Sequence, residues 1–220
     1  MTAMADWTGL VVSEARRRRL DAESVPLSRA RQRHLALPQQ GVDSMRPAGH
    51  RIEAHDVGAF AAAGLATVPV ARRPVVAVFS DPTARVPAGQ ALLAGQRWDA
   101  ERPLLMARLQ EEGLDPLGWP LVATGPDAVV AAIREAAEGV DAILLCGLDL
   151  AGARPAWIDA FERTGLRWWW PPGDAPVLGL EFGRSSAKAA VFALPSGLVD
   201  VDDGFSRVVR PYLRALQGGP

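Results

Sequence analysis

One cysteine, one lysine and three histidines are all that 220 residues contain of those types. Each scarcity removes a class of chemistry. Cys146 alone cannot form an intrachain disulfide, so the sequence predicts a chain suited to a reducing compartment, the cytoplasm. His34, His50 and His55 lie in the N-terminal quarter without ligand spacing, and no zinc site is expected. Lys188 is the sole lysine, which excludes any mechanism that needs two. The apolar runs fall well short of the roughly 20 residues that span a bilayer, so no membrane segment is expected. The opening residues 5–20 carry Asp6, Glu14 and an arginine run and do not read as a secretory signal. An excess of either charge is also missing. With 24 basic and 25 acidic residues, net charge −1, there is no electrostatic pull toward nucleic acid or an anionic membrane. Arg16, Arg17, Arg18 and Arg19 form a local basic run, but around a helix they point in all directions, as on a solvated helix.

What is present is a large apolar fraction, 49% of the chain, enough for a sizeable core in one domain with an appendage. From Pro74 onward strand-like and helix-like stretches alternate. Residues 75–79 form a short continuous apolar run, the mark of a strand covered on both faces. A helix is predicted over 101–112, with Pro103 in its first turn and Gly113 as its stop. Residues 117–122 read as a strand that Pro120 confines to an edge or a bend. Pro126 opens a helix ending at Gly139, with Val129, Val130, Ile133 and Ala137 on one face. Residues 142–146 are the clearest buried strand, followed by a helix over 155–163 and a strand over 166–170. The runs 177–182 and 189–194, split by a polar turn, have a hairpin signature. A closing helix is predicted over 205–216, with Pro211 as a kink or break.

This alternation predicts a three-layer αβα sandwich around a mostly parallel sheet, preceded by an N-terminal helical and extended segment. Three parts are expected: residues 1–45 as helices and linker, 46–73 as a lead-in helix and strand, and 74–220 as the α/β domain. Ser13 is read as capping a helix through Leu20, and Ser28 a second one through Leu37. A short helix over 55–63, stopped by Gly64, leads into a strand at 67–70. Ligands of such sheets bind beyond the carboxyl ends of the strands. That directs attention to the loops 80–99, 147–154 and 195–198.

Read in order, these loops resemble the molybdopterin molybdenumtransferase (MoeA-type) family and its molybdopterin-binding domain. The resemblance rests on Arg72-Arg73-Pro74 before the first strand and on the segment Gly95-Gln-Arg-Trp-Asp-Ala-Glu-Arg102. It continues in Leu194-Pro-Ser-Gly-Leu198 and in Pro211-Tyr-Leu-Arg-Ala-Leu-Gln-Gly218. Upstream, Pro47-Ala-Gly-His-Arg-Ile52, Asp56-Val-Gly and Glu23-Ser-Val-Pro-Leu27 match the family's lead-in and opening helices. A family member should be about twice this length, and the turn-rich stretch 38–47 sits where a β-rich domain would be inserted. The resemblance implies a ligand, molybdopterin or its adenylylated form, and a soluble homodimer or heterodimer with another molybdenum-cofactor protein.

The loop residues depart from the family's pattern in one direction. Its first loop ends in two acids that serve metal binding and catalysis; here Ser80-Asp81-Pro82-Thr83-Ala84 places Thr83 and Ala84 there. Asp81 is two residues away, about 7 Å along an extended loop. The glycine-rich loop becomes Cys146-Gly-Leu-Asp149, followed by Arg154 where an aspartate is expected. Gly147 can still bring backbone N–H groups close to a phosphate. Asp149 would repel such a group and Arg154 could pair with it, although a surface arginine opening a helix is the plainer reading of Arg154. The loop after Trp170 has no lysine where the family has two, and it carries Asp174 instead. Trp168, Trp169 and Trp170 could stack a pterin, but alternation along a strand favours core packing and a partner surface.

The candidate ligand-binding residues are therefore Ser80, Asp81, Thr83, Asp99, Gly147, Asp149, Arg154, Pro195, Ser196 and Gly197. No catalytic residue and no metal ligand is assigned, and Mg²⁺ is not expected. The leading expectation is a degenerate relative that binds molybdopterin or a biosynthesis partner without normal turnover. The alternatives are a reduced but active transferase and a structural subunit pairing with a full-length relative.

Overall fold

The computed structural model describes residues 2–36, 45–80, 85–119, 126–148, 167–169, 178–181 and 189–219. The chain divides into two compact units, Met1–Ala5 with Val75–Val209 and Asp6–Pro74 with Arg210–Pro220.

The larger unit is built on a six-stranded sheet. Its strands are β3 (Val76–Ser80), β6 (Leu117–Trp119), β7 (Ala142–Leu148), β8 (Arg167–Trp169), β9 (Leu178–Glu181) and β10 (Ala190–Pro195). Their spatial order is β6-β3-β7-β10-β9-β8. The first four run parallel, and β9 and β8 add an antiparallel edge. Helices α3 (Glu101–Glu111) and α4 (Pro126–Gly139) carry the crossovers from β3 to β6 and from β6 to β7. These crossovers run in opposite directions across the sheet. Right-handed connections then put the two helices on opposite faces, which gives the three layers read from the sequence. The core strands carry the apolar residues expected of strands covered on both sides: Val76, Ala77, Val78, Ile143 and Leu144 are fully buried. Edge strand β6 is exposed, and its Trp119 stacks on Phe79 of β3 with ring centroids 5.9 Å apart.

Two boundaries differ from the sequence reading. The closing helical segment begins as α5 at Leu198–Gly204, seven residues before the expected start, and passes through a π-turn at Phe205–Val209. Helix α6 (Arg210–Leu216) then runs through Pro211 without ending there. A widened π-turn just upstream is a known way for a helix to accommodate a residue without an N–H. The strand expected over 117–122 is seen to Trp119, and 120–125, like the helix expected over 155–163, lie outside the described residues.

The N-terminal helix α1 (Thr2–Arg17) starts well before Ser13, a residue of the smaller unit, which therefore sits mid-helix and not at a cap. Among the described residues up to Ala36, no α-helix follows Ser28. A single 3₁₀ turn, Leu27–Arg29, leads instead to isolated bridges from His34 to Arg51 and from Leu35 to Val70. Nor is 23–27 helical: β1 (Ala22–Pro26) pairs antiparallel with β2 (Thr67–Ala71). Both misreadings have one cause. Val25 and Leu35 belong to a cluster with Ile52, Phe60, Val68 and Val70, and this long-range packing outweighs local cap signals. The arginine run is partly spent inside the unit. Arg17 and Arg18 close on Glu14, and Arg19 donates to the Ala36 carbonyl at 2.6 Å.

The motif residues 47–56 have a structural use here. Gly49 has φ +83, and an added Cβ would lie 2.0 Å from the Gly218 carbonyl oxygen. Gly49→Ala is expected to lose at least about 1–3 kcal/mol from backbone strain alone, read by urea unfolding. Asp56, on the first turn of α2 (Ala54–Ala62), is buried and accepts hydrogen bonds from Arg46 Nε (2.6 Å), the Glu53 N–H (2.9 Å) and His50 Nε2 (2.8 Å). Burial pushes its carboxyl up, but the Glu53 N–H, His50 and Arg46 outweigh that and hold it at about 2. A depressed carboxylate stabilises the fold above its unfolded value, near 3.8, and loses that contribution as pH falls through 2. Thermal melts of wild type and Asp56→Asn should therefore differ most above pH 4 and converge toward pH 2.

Candidate functional site

Strand β3 sends its connection one way across the sheet and β7 the other, so the switch point lies between them. In register, Ser80 of β3 sits beside Cys146 of β7, and Pro195 of β10 pairs with Leu148. The register shifts between Ala193 and Pro195, an irregularity at the end of β10 beside this point.

The polar groups gather in two linked pairs. Asp99, just before α3, accepts the Ser80 hydroxyl at 2.7 Å, the Arg102 Nε at 2.8 Å and the Arg102 backbone N–H at 3.2 Å. Beside it, Arg85 Nη2 lies 2.8 Å from Glu101 Oε1 and donates to Ser196 Oγ at 2.6 Å. The Gly197 N–H also reaches Glu101 Oε1, at 3.3 Å. Arg85 and Glu101 side chains are only 8% and 4% exposed, so this pair is desolvated.

Local sequence explains how the parts are held. Strand β4 (Arg85–Val86) pairs with β5 (Arg97–Trp98), and the Asp99 N–H donates to the Val86 carbonyl at 2.7 Å. Both loop arms are thus fixed next to the switch point. At the far end of α3, Arg108 forms a bidentate pair with Asp202 of α5, Nε to Oδ1 at 2.7 Å and Nη2 to Oδ2 at 2.9 Å. That clamp sets the register in which the start of α3 presents Glu101 to Gly197. Gly147, at φ +78, leaves room for Arg85: a Cβ there would lie 3.1 Å from the guanidinium Nε. Cys146 is buried and donates its thiol to the Phe79 carbonyl at 3.3 Å. Burial, reinforced by the Asp99 and Glu101 charges, pushes this thiol far above its usual range, so it stays neutral and unreactive.

The structure brings together Ser80, Asp99, Gly147, Pro195, Ser196 and Gly197 of the residues expected from sequence. Asp81, Thr83, Asp149 and Arg154 lie outside the described residues, as do Trp170 and Asp174. Arg85, Glu101 and Arg102 were missed. Glu101 and Arg102 stand in the quoted motif segment, where a charged pair directly after Asp99 at a helix start was the available signal. Arg85 carried no local signal, because its role depends on the pairing of β4 with β5. As a donor set for a divalent cation the site fits poorly. Each carboxylate is engaged by an arginine, and among the described residues no three potential ligands come together. A groove of about 470 Å³ lies beside this site, between α3 and α5, lined by Leu104, Leu198, Val199, Asp202, Asp203 and Ser206.

Fold and site define a doubly wound α/β domain that gathers charged groups at its switch point, a place where such sheets hold ligands. Residues 84–215 match the family described as "Probable molybdopterin binding domain", and the chain belongs to that family. A molybdopterin molybdenumtransferase of Nostoc sp. is 30% identical over 108 residues, 49% of this chain and 25% of that relative. The match thus spans about a quarter of that curated relative's length. Among solved structures, a molybdopterin biosynthesis MoeA protein of Pyrococcus horikoshii aligns with TM-score 0.60 and 22% identity, covering 77% of this chain and 42% of its own. A molybdenum cofactor biosynthesis protein of Pyrococcus furiosus aligns with TM-score 0.61 and 18% identity, covering 95% and 71%. At these identities the structures establish the shared fold.

Proposed function

We propose that this protein binds molybdopterin, or its adenylylated form, at the switch point between β3 and β7 and does not insert molybdate at a normal rate. The observation that carries this reading is the state of the site's acids. Asp99 is committed to Ser80 and Arg102, and Glu101 to Arg85 and Gly197. Both carboxylates are thus engaged by arginines, an arrangement that makes each a poor Mg²⁺ ligand. The sequence adds that the acids and lysines of the family's loops are replaced by Thr83, Ala84 and the lysine-free stretch after Trp170. Removing even one electrostatic stabiliser costs about 10²–10³ in rate, and several are replaced here. Family membership and the donors Arg85, Ser196 and Gly197 support retained binding of a phosphate-bearing pterin.

Isothermal titration with molybdopterin and with its adenylylated form tests the binding half. Saturable heat with either is expected; no heat with both removes the reading. A second reading, a reduced but active transferase, draws support from Arg85, a buried cation at the place where an oxyanion would be stabilised. Restored growth of a strain lacking its own transferase, on a medium that demands a molybdoenzyme, would favour it.

A further inference from the structure

We infer that Glu101 fills, with its own carboxylate, an oxyanion site made by Arg85, Ser196 and the Gly197 N–H, so that a ligand's oxyanion binds there only by displacing it. The inference deepens the proposed function and takes from it only the expectation that the ligand carries such a group. Three donors from two segments converge here, Arg85 on β4 and the adjacent Ser196 and Gly197 after β10. Arg85 Nη2 is 2.8 Å from Glu101 Oε1, and the Gly197 N–H reaches the same oxygen at 3.3 Å. Ser196 Oγ, 2.6 Å from Arg85 Nη2, has a hydroxyl proton of its own to offer. A guanidinium, a backbone N–H and a hydroxyl make a donor set for a tetrahedral oxyanion.

The backbone is shaped to allow it. Gly197 adopts φ +124, closed to L side chains, and the bare Gly147 gives the guanidinium its room. Glu101 is an imperfect occupant. Its second oxygen, Oε2, is buried and has no hydrogen-bond partner among the described residues, although the residue is only 3% exposed. A buried carboxylate oxygen without a partner keeps its desolvation cost, which favours exchange for an anion with more acceptor oxygens. Glu101 thereby sets the affinity and selectivity of the site. A singly charged or weakly held anion fails to displace it, and a multiply charged phosphate or molybdate group succeeds.

The test is calorimetric titration of the full chain with inorganic phosphate and, separately, with molybdate. Glu101→Gln is expected to bind at least one of them about 10-fold more tightly than wild type, a gain of about 1.4 kcal/mol. Adding Arg85→Gln to that variant should abolish the gain. The tighter of the two anions identifies which oxyanion the site favours. Should Glu101→Gln fail to fold, Glu101→Asp keeps the charge but withdraws it by one methylene, and about a 3-fold gain is expected. A folded variant with no gain for either anion overturns the inference, as does a gain that survives Arg85→Gln. The ligand assignment fails separately. Tighter inorganic anion binding with no molybdopterin binding by either protein leaves this inference standing and removes the earlier one, and unchanged anion binding with intact molybdopterin binding does the reverse.

Discussion

Arg85→Met is expected to lower the unfolding free energy by about 3–5 kcal/mol in urea denaturation, the cost of leaving one partner of a buried ion pair uncompensated. Among the described residues, the remaining Glu101 would keep the Gly197 N–H at 3.3 Å as its one donor, with its second oxygen already without a partner there. The effect belongs to the unpaired charge and not to the pair as such. Replacing both residues, Arg85→Met with Glu101→Met, should therefore recover most of the loss, because a buried pair is often no better than apolar residues of similar volume. A double variant as unstable as the single one would show that Arg85 acts through Ser196 or by packing over Gly147. The comparison bears on function: a charged pair that adds little net stability, yet lies at the switch point, is consistent with a part in ligand recognition.

Leu144→Ala is expected to cost about 2–5 kcal/mol, the range for deleting a fully buried leucine from a core that relaxes only in part. Leu144 is fully buried at the middle of β7, between Val78 of β3 and Phe192 of β10. The same change at Leu117, 43% exposed on edge strand β6, should cost less than about 1 kcal/mol by the area it withdraws from water. Because β7 carries Cys146 and Gly147 at its end, loosening its centre should also weaken ligand binding. Equal losses at the two positions would contradict the central place of β7 in the sheet.

The parts of the fold legible from sequence are those where local pattern and long-range packing agree. Residues 142–146 are apolar without interruption because β7 is paired on both edges and covered on both faces, and α4 starts at Pro126 and ends at Gly139 as its signals say. The hairpin of β9 and β10 followed from two apolar runs around a polar turn. Elsewhere the two disagree. Ser13 and Ser28 are good cap residues that cap nothing, because α1 begins upstream and the chain after Ser28 is drawn into the cluster around Leu35 and Val70. The start of α5 was missed because Gly197 and Ser196 read as loop, whereas the conformation at Gly197 launches the helix immediately. At the site, the motif led to Ser80, Asp99, Gly147, Pro195, Ser196 and Gly197, residues that meet because three strand ends meet. It did not lead to Arg85. A lone arginine between two loops acquires meaning only when β4 pairs with β5 and turns it onto Glu101.

The most direct test of the account is the time course of AMP release from adenylylated molybdopterin in the presence of molybdate, with the protein at saturating ligand. The account predicts that the ligand is retained while AMP release stays at least about 10²-fold slower than with a full-length transferase assayed alongside. Release at a comparable rate would contradict it, and would mean that Asp99, Glu101 and Arg85 leave their pairings to do chemistry.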